Sequence, residues 1–196
     1  MQSPTNSICN GKPRGIFINA QKANCSIYES GVMVYQCLKL SDKYSLDYME
    51  IDPHNLELNK YDFYFFNYHH ATMNFIDTKT IRQLPGLTLV TILETLPNNP
   101  FPLCPPSDFD IYCAIDPTMN VPDRRVYAFP RPLEVAEHIT PYKETEIPVI
   151  GSFGFATPGK GFELVVDAVN KEFDEAIVRI NIPCSTYADE VTYKLF

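Results

Sequence analysis

The 196-residue chain has no run of lysines and arginines, and its 16 Lys and Arg face 24 Asp and Glu, for a net charge of −8. Without heavy local clustering such a balance builds no basic face, which argues against general nucleic-acid binding. No apolar run approaches the ~18 residues that a membrane span needs. The opening stretch, MQSPTNSICNGKPRG, is polar and has no apolar centre, so it does not read as a signal peptide. Six cysteines stand at 9, 25, 37, 104, 113 and 184, with no C-x-x-C pair and no histidine at zinc spacing. Free thiols in a reducing cytosol are the simplest reading, and a cytoplasmic location is the expectation. The sequon Asn24-Cys25-Ser26 carries no weight there. There is no GxGxxG, which argues against a dinucleotide enzyme such as an NAD-linked one. Internal repeats and low-complexity tracts are also missing.

What is present is a globular composition, 45% hydrophobic and 20% charged. The length suits one full domain with a good core and is short for two. Residues 1–13 carry no periodicity and read as a flexible tail. Short apolar runs then recur: 15–20 (GIFINA), 46–51 (LDYMEI), 61–68 (YDFYFFNY), 87–93 (LTLVTIL), 109–115 (FDIYCAI) and 125–130 (RVYAFP). They read as strands. Residues 27–41 read as a helix, with Ile27, Gly31, Val34 and Leu38 on one stripe, Ser26 as N-cap and Glu29 completing a capping box. A second helix is expected over 75–84, ending near Pro85-Gly86. Residues 98–106 form a proline-rich loop that either covers a cleft or only crosses the surface. Residues 134–146 are polar and read as a linker.

The chain turns on residues 147–183. An apolar run (148–153) leads into a turn with Gly154, Thr157, Pro158, Gly159 and Gly161. Phe162, Val165, Val166, Val169 and Phe173 then fall on one stripe at helical period, with Thr157 as the expected N-cap and Pro158 in the first helical position. A second apolar run follows at 176–182. Strand, Gly-rich turn, helix and strand make a βαβ unit. Such a turn can hold a phosphate through free N–H groups and the helix dipole, with Lys160 adding charge, or its glycines can simply close strand against helix. It is not a P-loop, since Lys160 is followed by Gly161. The whole pattern predicts an α/β fold. It has a Rossmann-like, mainly parallel sheet with helices on both faces (14–133) and the first βαβ unit of a second Rossmann-like domain (147–196).

The segment GSFGFATPGKGFELVVDAV resembles the start of the C-terminal domain of GT-B glycosyltransferases, in particular retaining family four. That family writes an apolar strand, Gly-Arg, a short loop, Lys-Gly and a helix, and its Arg and Lys contact the diphosphate of a nucleotide-sugar. Lys160 and Gly161 match, while the Arg position holds Phe155. The order of elements over residues 14–183 also fits. The resemblance implies donor-phosphate contacts at Gly154, Phe155, Lys160 and Gly161. It also implies an acceptor-side cleft at Asn24, Ser26 and Glu29, after which the pair Ser30-Gly31 matches the family's small-Gly pair.

Three residues are catalytic candidates. His69 and His70 end the third strand, where the family often has a cleft-lining His; they are equally turn residues that bond the backbone. Adjacent side chains on a strand point to opposite faces, so they do not form a metal site. Glu94 lies at the carboxyl end of the fourth strand, where the family usually shows a His, and would act on an acceptor hydroxyl or cap the next turn.

The resemblance implies a hexosyltransferase that moves a sugar from a UDP- or GDP-linked donor to an acceptor hydroxyl, in polysaccharide or glycoconjugate synthesis, with no metal or cofactor. The family's E-x(7)-E pair is missing, so the expectation is a C-terminally truncated chain that needs its missing half or a docking partner. The alternative is a non-catalytic α/β domain, derived from a GT-B fold, that binds a ligand or partner.

Overall fold

The computed structural model describes residues 11–20, 25–52, 58, 60–73, 75–93, 108–118, 122–135, 137–138, 141, 143–154 and 160–183. The chain divides into two compact units, 1–135 and 136–196.

The first unit is built on a six-stranded, wholly parallel sheet. Its strands are β1 (Arg14–Ala20), β2 (Ser45–Ile51), β3 (Phe63–Phe66), β4 (Leu87–Ile92), β5 (Ile111–Ala114) and β6 (Val126–Ala128). The spatial order is β2-β1-β3-β4-β5-β6. Every neighbouring pair is parallel, with Gly15 to Ala20 set against Leu46 to Ile51 on one side and Gly15 to Ile18 against Phe63 to Phe66 on the other. An inner parallel strand is covered on both faces, which is why GIFINA is apolar without alternation and is buried from Gly15 onward.

Two cores result. On one face Ile16, Ile18, Tyr64, Phe66, Val90 and Tyr112 pack with Met73, Ile76 and Ile81. On the other, Phe17, Phe65 and Cys113 pack under Val34, Tyr35 and Leu38 of helix α1 (Ser26–Leu38). The buried tyrosines are satisfied locally: Tyr61 N donates to Tyr64 Oη (2.9 Å) and Phe109 N donates to Tyr112 Oη (3.1 Å). Each phenol thus closes the loop that enters its own strand while its ring fills the core.

The expected helix over 75–84 is corrected. Two single turns stand in this region, α2 (His70–Met73) and α3 (Thr78–Ile81). Asp77 caps the second, its carboxylate accepting from Lys79 N at 3.0 Å, so the helix begins after Asp77 rather than running through it. α1 also starts one residue early: Cys25 rather than Ser26 is the N-cap, and its side chain makes no capping bond.

The second unit holds β7 (Val149–Phe153), α4 (Phe162–Glu172) and β8 (Ile177–Asn181), with β7 and β8 parallel. Phe162 and Val169 are buried, whereas Val166 and Phe173 of the same stripe stay exposed. One face of the strand pair carries Val149, Phe153 and Ile177, all exposed. α4 starts at Phe162, not near Pro158. Its N-cap is Gly161 at φ +72°, a left-handed conformation that interrupts helical geometry and suits glycine.

Burial raises the Cys113 thiol from 9.0 to about 11. Between those values the unfolded chain has lost a proton that the native state keeps, so rising pH favours unfolding across that window by about 2–3 kcal/mol. Cys37 is exposed and Cys25 is buried. Alkylation of the native protein at neutral pH is expected to mark Cys37 rapidly and Cys113 only on unfolding, read by mass spectrometry. Rapid native labelling of Cys113 would contradict this packing.

Candidate functional site

The chain leaves β1 to build β2 on one side, then crosses to build β3 on the other. The strand order therefore reverses between β1 and β3. In open parallel sheets that reversal opens a crevice at the carboxyl ends of the strands, where ligands bind. The first turn of α1 stands at this place, because α1 follows β1 directly.

A buried polar network fixes that turn. Asn19 and Asn67, both fully buried, end the apolar runs of β1 and β3. Asn67 Nδ2 donates to Asn19 Oδ1 (2.9 Å) and to the Ile27 carbonyl (2.8 Å). Asn19 Nδ2 donates to the Tyr28 carbonyl (3.0 Å) and to Tyr48 Oη (3.2 Å). Two asparagines thus hold two consecutive carbonyls of α1 against two strands. Amide groups buried without such bonds would cost about 1–3 kcal/mol each.

Tyr28 and Tyr48 both donate to Glu50 Oε1, at 2.6 and 3.2 Å. The bond to Glu50 is the first cause raising the Tyr28 phenol above its ordinary range, and burial is the first cause for Tyr48. Both phenols therefore stay protonated and donating at neutral pH. Gly31 lies over the asparagines: a Cβ there would fall 2.5 Å from Asn67 Nδ2 and 2.7 Å from Asn19 Nδ2. No side chain fits between the helix and this pair.

Beside the network is a cavity of about 120 Å³ lined by Ser26, Ile27, Ser30, His69, Leu93, Ile115 and Arg131. Each of α1, β3, β4, β5 and β6 supplies a residue within it or just beyond its end. His69 is 5% exposed, and its carbonyl accepts from Thr72 N (3.0 Å), Met73 N (2.9 Å) and Thr72 Oγ1 (3.2 Å). It thus both bonds the turn and lines the cavity. Ser30 is 2% exposed and its Oγ makes no hydrogen bond. Arg131 is exposed and has no ion-pair partner among the described residues.

Of the candidates read from sequence, Ser26 and His69 share this cavity. Glu29 is exposed on the same turn of α1 and is not among the lining residues. Asn24, Glu94 and Phe155, and the side chain of His70, lie outside the described residues. Sequence reasoning missed Ser30 as a lining residue, Arg131, and the asparagine pair. The asparagines did carry a signal, as polar residues closing two otherwise apolar strands.

The sequence also holds an Asp-x-Asp, Asp108-Phe109-Asp110, where sequence reasoning counted none. It sits at the amino end of β5, the opposite edge of the sheet from the cavity. Arg82 Nη2 lies 3.4 Å from Asp108 Oδ1, and Asp110 Oδ2 accepts from Thr88 N and Thr88 Oγ1, each at 2.9 Å. These carboxylates tie α3 and β4 to the loop entering β5.

In the second unit Gly154, Lys160 and Gly161 come together at the carboxyl end of β7. Gly154 has φ +147°, and the place its Cβ would take is 3.8 Å from Lys160 Cδ. Leu164 N and Val165 N both donate to the Gly161 carbonyl (3.0 and 3.3 Å), so the N–H groups of Phe162 and Glu163 precede the first intrahelical bonds. Lys160 is exposed beside them and makes no ion pair among the described residues. The exposed cation and the positive end of the helix dipole both favour an anion here.

Replacing an exposed helical glycine by alanine usually stabilises by about 0.5–1 kcal/mol. At Gly31 the sign is expected to reverse, with Gly31→Ala losing about 1–3 kcal/mol through overpacking on the asparagines. Urea unfolding checks it, and a stabilised Gly31→Ala would show that the helix does not sit on this pair. No protein-family model, no curated protein and no solved structure matches this chain.

Proposed function

We propose that this chain is a glycosyltransferase-like protein of GT-B type, which moves a hexose from a UDP- or GDP-linked donor to an acceptor hydroxyl. The observation that carries the reading is the second unit: a parallel strand pair joined by a helix whose start presents Lys160 and a left-handed Gly161. The resemblance of residues 151–169 to the donor-side motif of retaining family four supplies the chemistry. Breaking the sugar–phosphate bond builds negative charge on the leaving diphosphate. The α4 N-terminus and Lys160 are suited to stabilise that charge without reorganising. The first unit supports the reading by its open parallel sheet with a crevice at the strand-order reversal, the place for an acceptor. His69 lines that crevice and is the catalytic candidate whose side chain lies among the described residues.

A second reading is favoured by Phe155, which stands where the family has its donor-binding Arg. On that reading the chain is a non-catalytic α/β domain that binds a ligand or partner. The two separate in a thermal-shift titration with UDP, GDP and their sugars. Donor binding is expected to stabilise the wild type by about 2.7 kcal/mol at a hundredfold excess over the dissociation constant. Lys160→Ala is expected to abolish most of that shift. No response of the wild type to any nucleotide would leave the non-catalytic reading in its place.

A further inference from the structure

We infer that the cavity between the first turn of α1 and the carboxyl ends of β3, β4, β5 and β6 is a subsite for one oxyanion group, a phosphate or a carboxylate carried by a small ligand. Four observations converge on it. The first turn of α1 opens onto the cavity through Ser26 and Ile27, and the side chain of its N-cap, Cys25, makes no capping bond. A thirteen-residue helix presents its orphan N–H groups and the positive end of its dipole there. Ser30, 2% exposed and lining the cavity, keeps a hydroxyl with no hydrogen-bond partner. Such a buried hydroxyl is poorly solvated until something accepts its proton. Finally, Arg131 is the lining residue with a permanent charge, in a chain whose net charge is −8. A guanidinium held beside a helix N-terminus is a pairing that repels cations and suits a bidentate oxyanion.

The size sets the scale of the ligand. Pockets that enclose a whole drug-sized molecule run to about 300–1,000 Å³. At about 120 Å³ this cavity holds the volume of roughly four waters. It fits one charged group of a ligand, with the remainder outside. The asparagine clamp keeps it preformed, because the Ile27 and Tyr28 carbonyls are tied down and the amides of the same turn cannot swing away.

On the glycosyl-transfer reading, the group belongs to the acceptor, which would be an anionic sugar such as a hexose phosphate or a uronate. Oxyanion binding itself does not require that reading. The proposed donor contacts lie in the other unit at Lys160, so failure at one site is distinguishable from failure at the other.

The test is a heteronuclear NMR titration of the full chain with inorganic phosphate, a hexose phosphate, UDP and a neutral methyl hexoside. Phosphate and hexose phosphate are expected to shift the backbone amides of Ser26, Ile27 and Ser30 saturably, and the neutral hexoside is not. Arg131→Gln, a change at an exposed position, is expected to weaken binding at these amides by about tenfold, the loss of a charge-assisted contact. Lys160→Ala is expected to leave them unaffected. Hexose phosphate saturating below UDP assigns the anion to an acceptor, and the reverse order assigns it to a donor. Absence of shifts at these amides at tens of millimolar phosphate would overturn the inference, and so would shifts of equal affinity in Arg131→Gln. Ser30→Ala gives an independent check, since weaker binding in a variant with the wild-type unfolding midpoint supports the hydroxyl as a ligand contact, and unchanged binding removes Ser30 from the site.

Discussion

The hydrogen bond from Asn67 Nδ2 to Asn19 Oδ1 joins the two strands between which the sheet reverses its order. Almost everything that gives the first unit a site depends on it. A crevice at a strand-order reversal is a consequence of topology. What fills it, and at what distance, is decided by where the following helix sits. Here the second Asn67 proton reaches the Ile27 carbonyl, the two Asn19 protons reach the Tyr28 carbonyl and Tyr48 Oη, and Gly31 lets the helix come down onto the pair without a Cβ in between. A buried amide pair that is nearly fully bonded specifies one position for α1, where an apolar contact would allow sliding. The turn that faces the cavity is held from below, by groups that do not themselves reach the cavity.

The two candidate anion sites use the same parts in different states. In the first, the helix start is backed by a buried network, and its cation, Arg131, comes from beyond the edge strand β6. In the second, Gly161 breaks the backbone into a left-handed turn, and its cation, Lys160, is the neighbouring residue. The second unit is thinner. A parallel strand pair is ordinarily covered on both faces, and here Val149, Phe153 and Ile177 remain open on one of them.

The strands were legible because an inner parallel strand is buried on both sides and so is written as an unbroken apolar run. All eight were placed within about two residues at either end, the scatter that boundary definitions alone produce. The short turns after β3 were not legible as such. Phe75, Ile76 and Ile81 all enter the core and imitate helical spacing, while a single capping residue, Asp77, decides where the helix can begin. At the cavity, Ser26 and His69 were visible because they stand at strand ends or helix starts. Ser30 and Arg131 were not, because the cavity gathers them from α1 and from beyond β6, a hundred positions apart in the chain. No one-dimensional pattern records that meeting. The network was half legible: Asn19 and Asn67 are conspicuous in GIFINA and YDFYFFNY, but that they bond each other follows only from β1 and β3 being neighbours.

The most direct measurement is a double-mutant cycle on Asn19→Ala and Asn67→Ala, with stability read by urea unfolding. If the two amides form one clamp that seats α1, the single losses are not additive, and the coupling is expected at about 1–3 kcal/mol. Losses that add to within about 0.5 kcal/mol would mean that each asparagine acts alone, and that the position of the α1 turn has another cause.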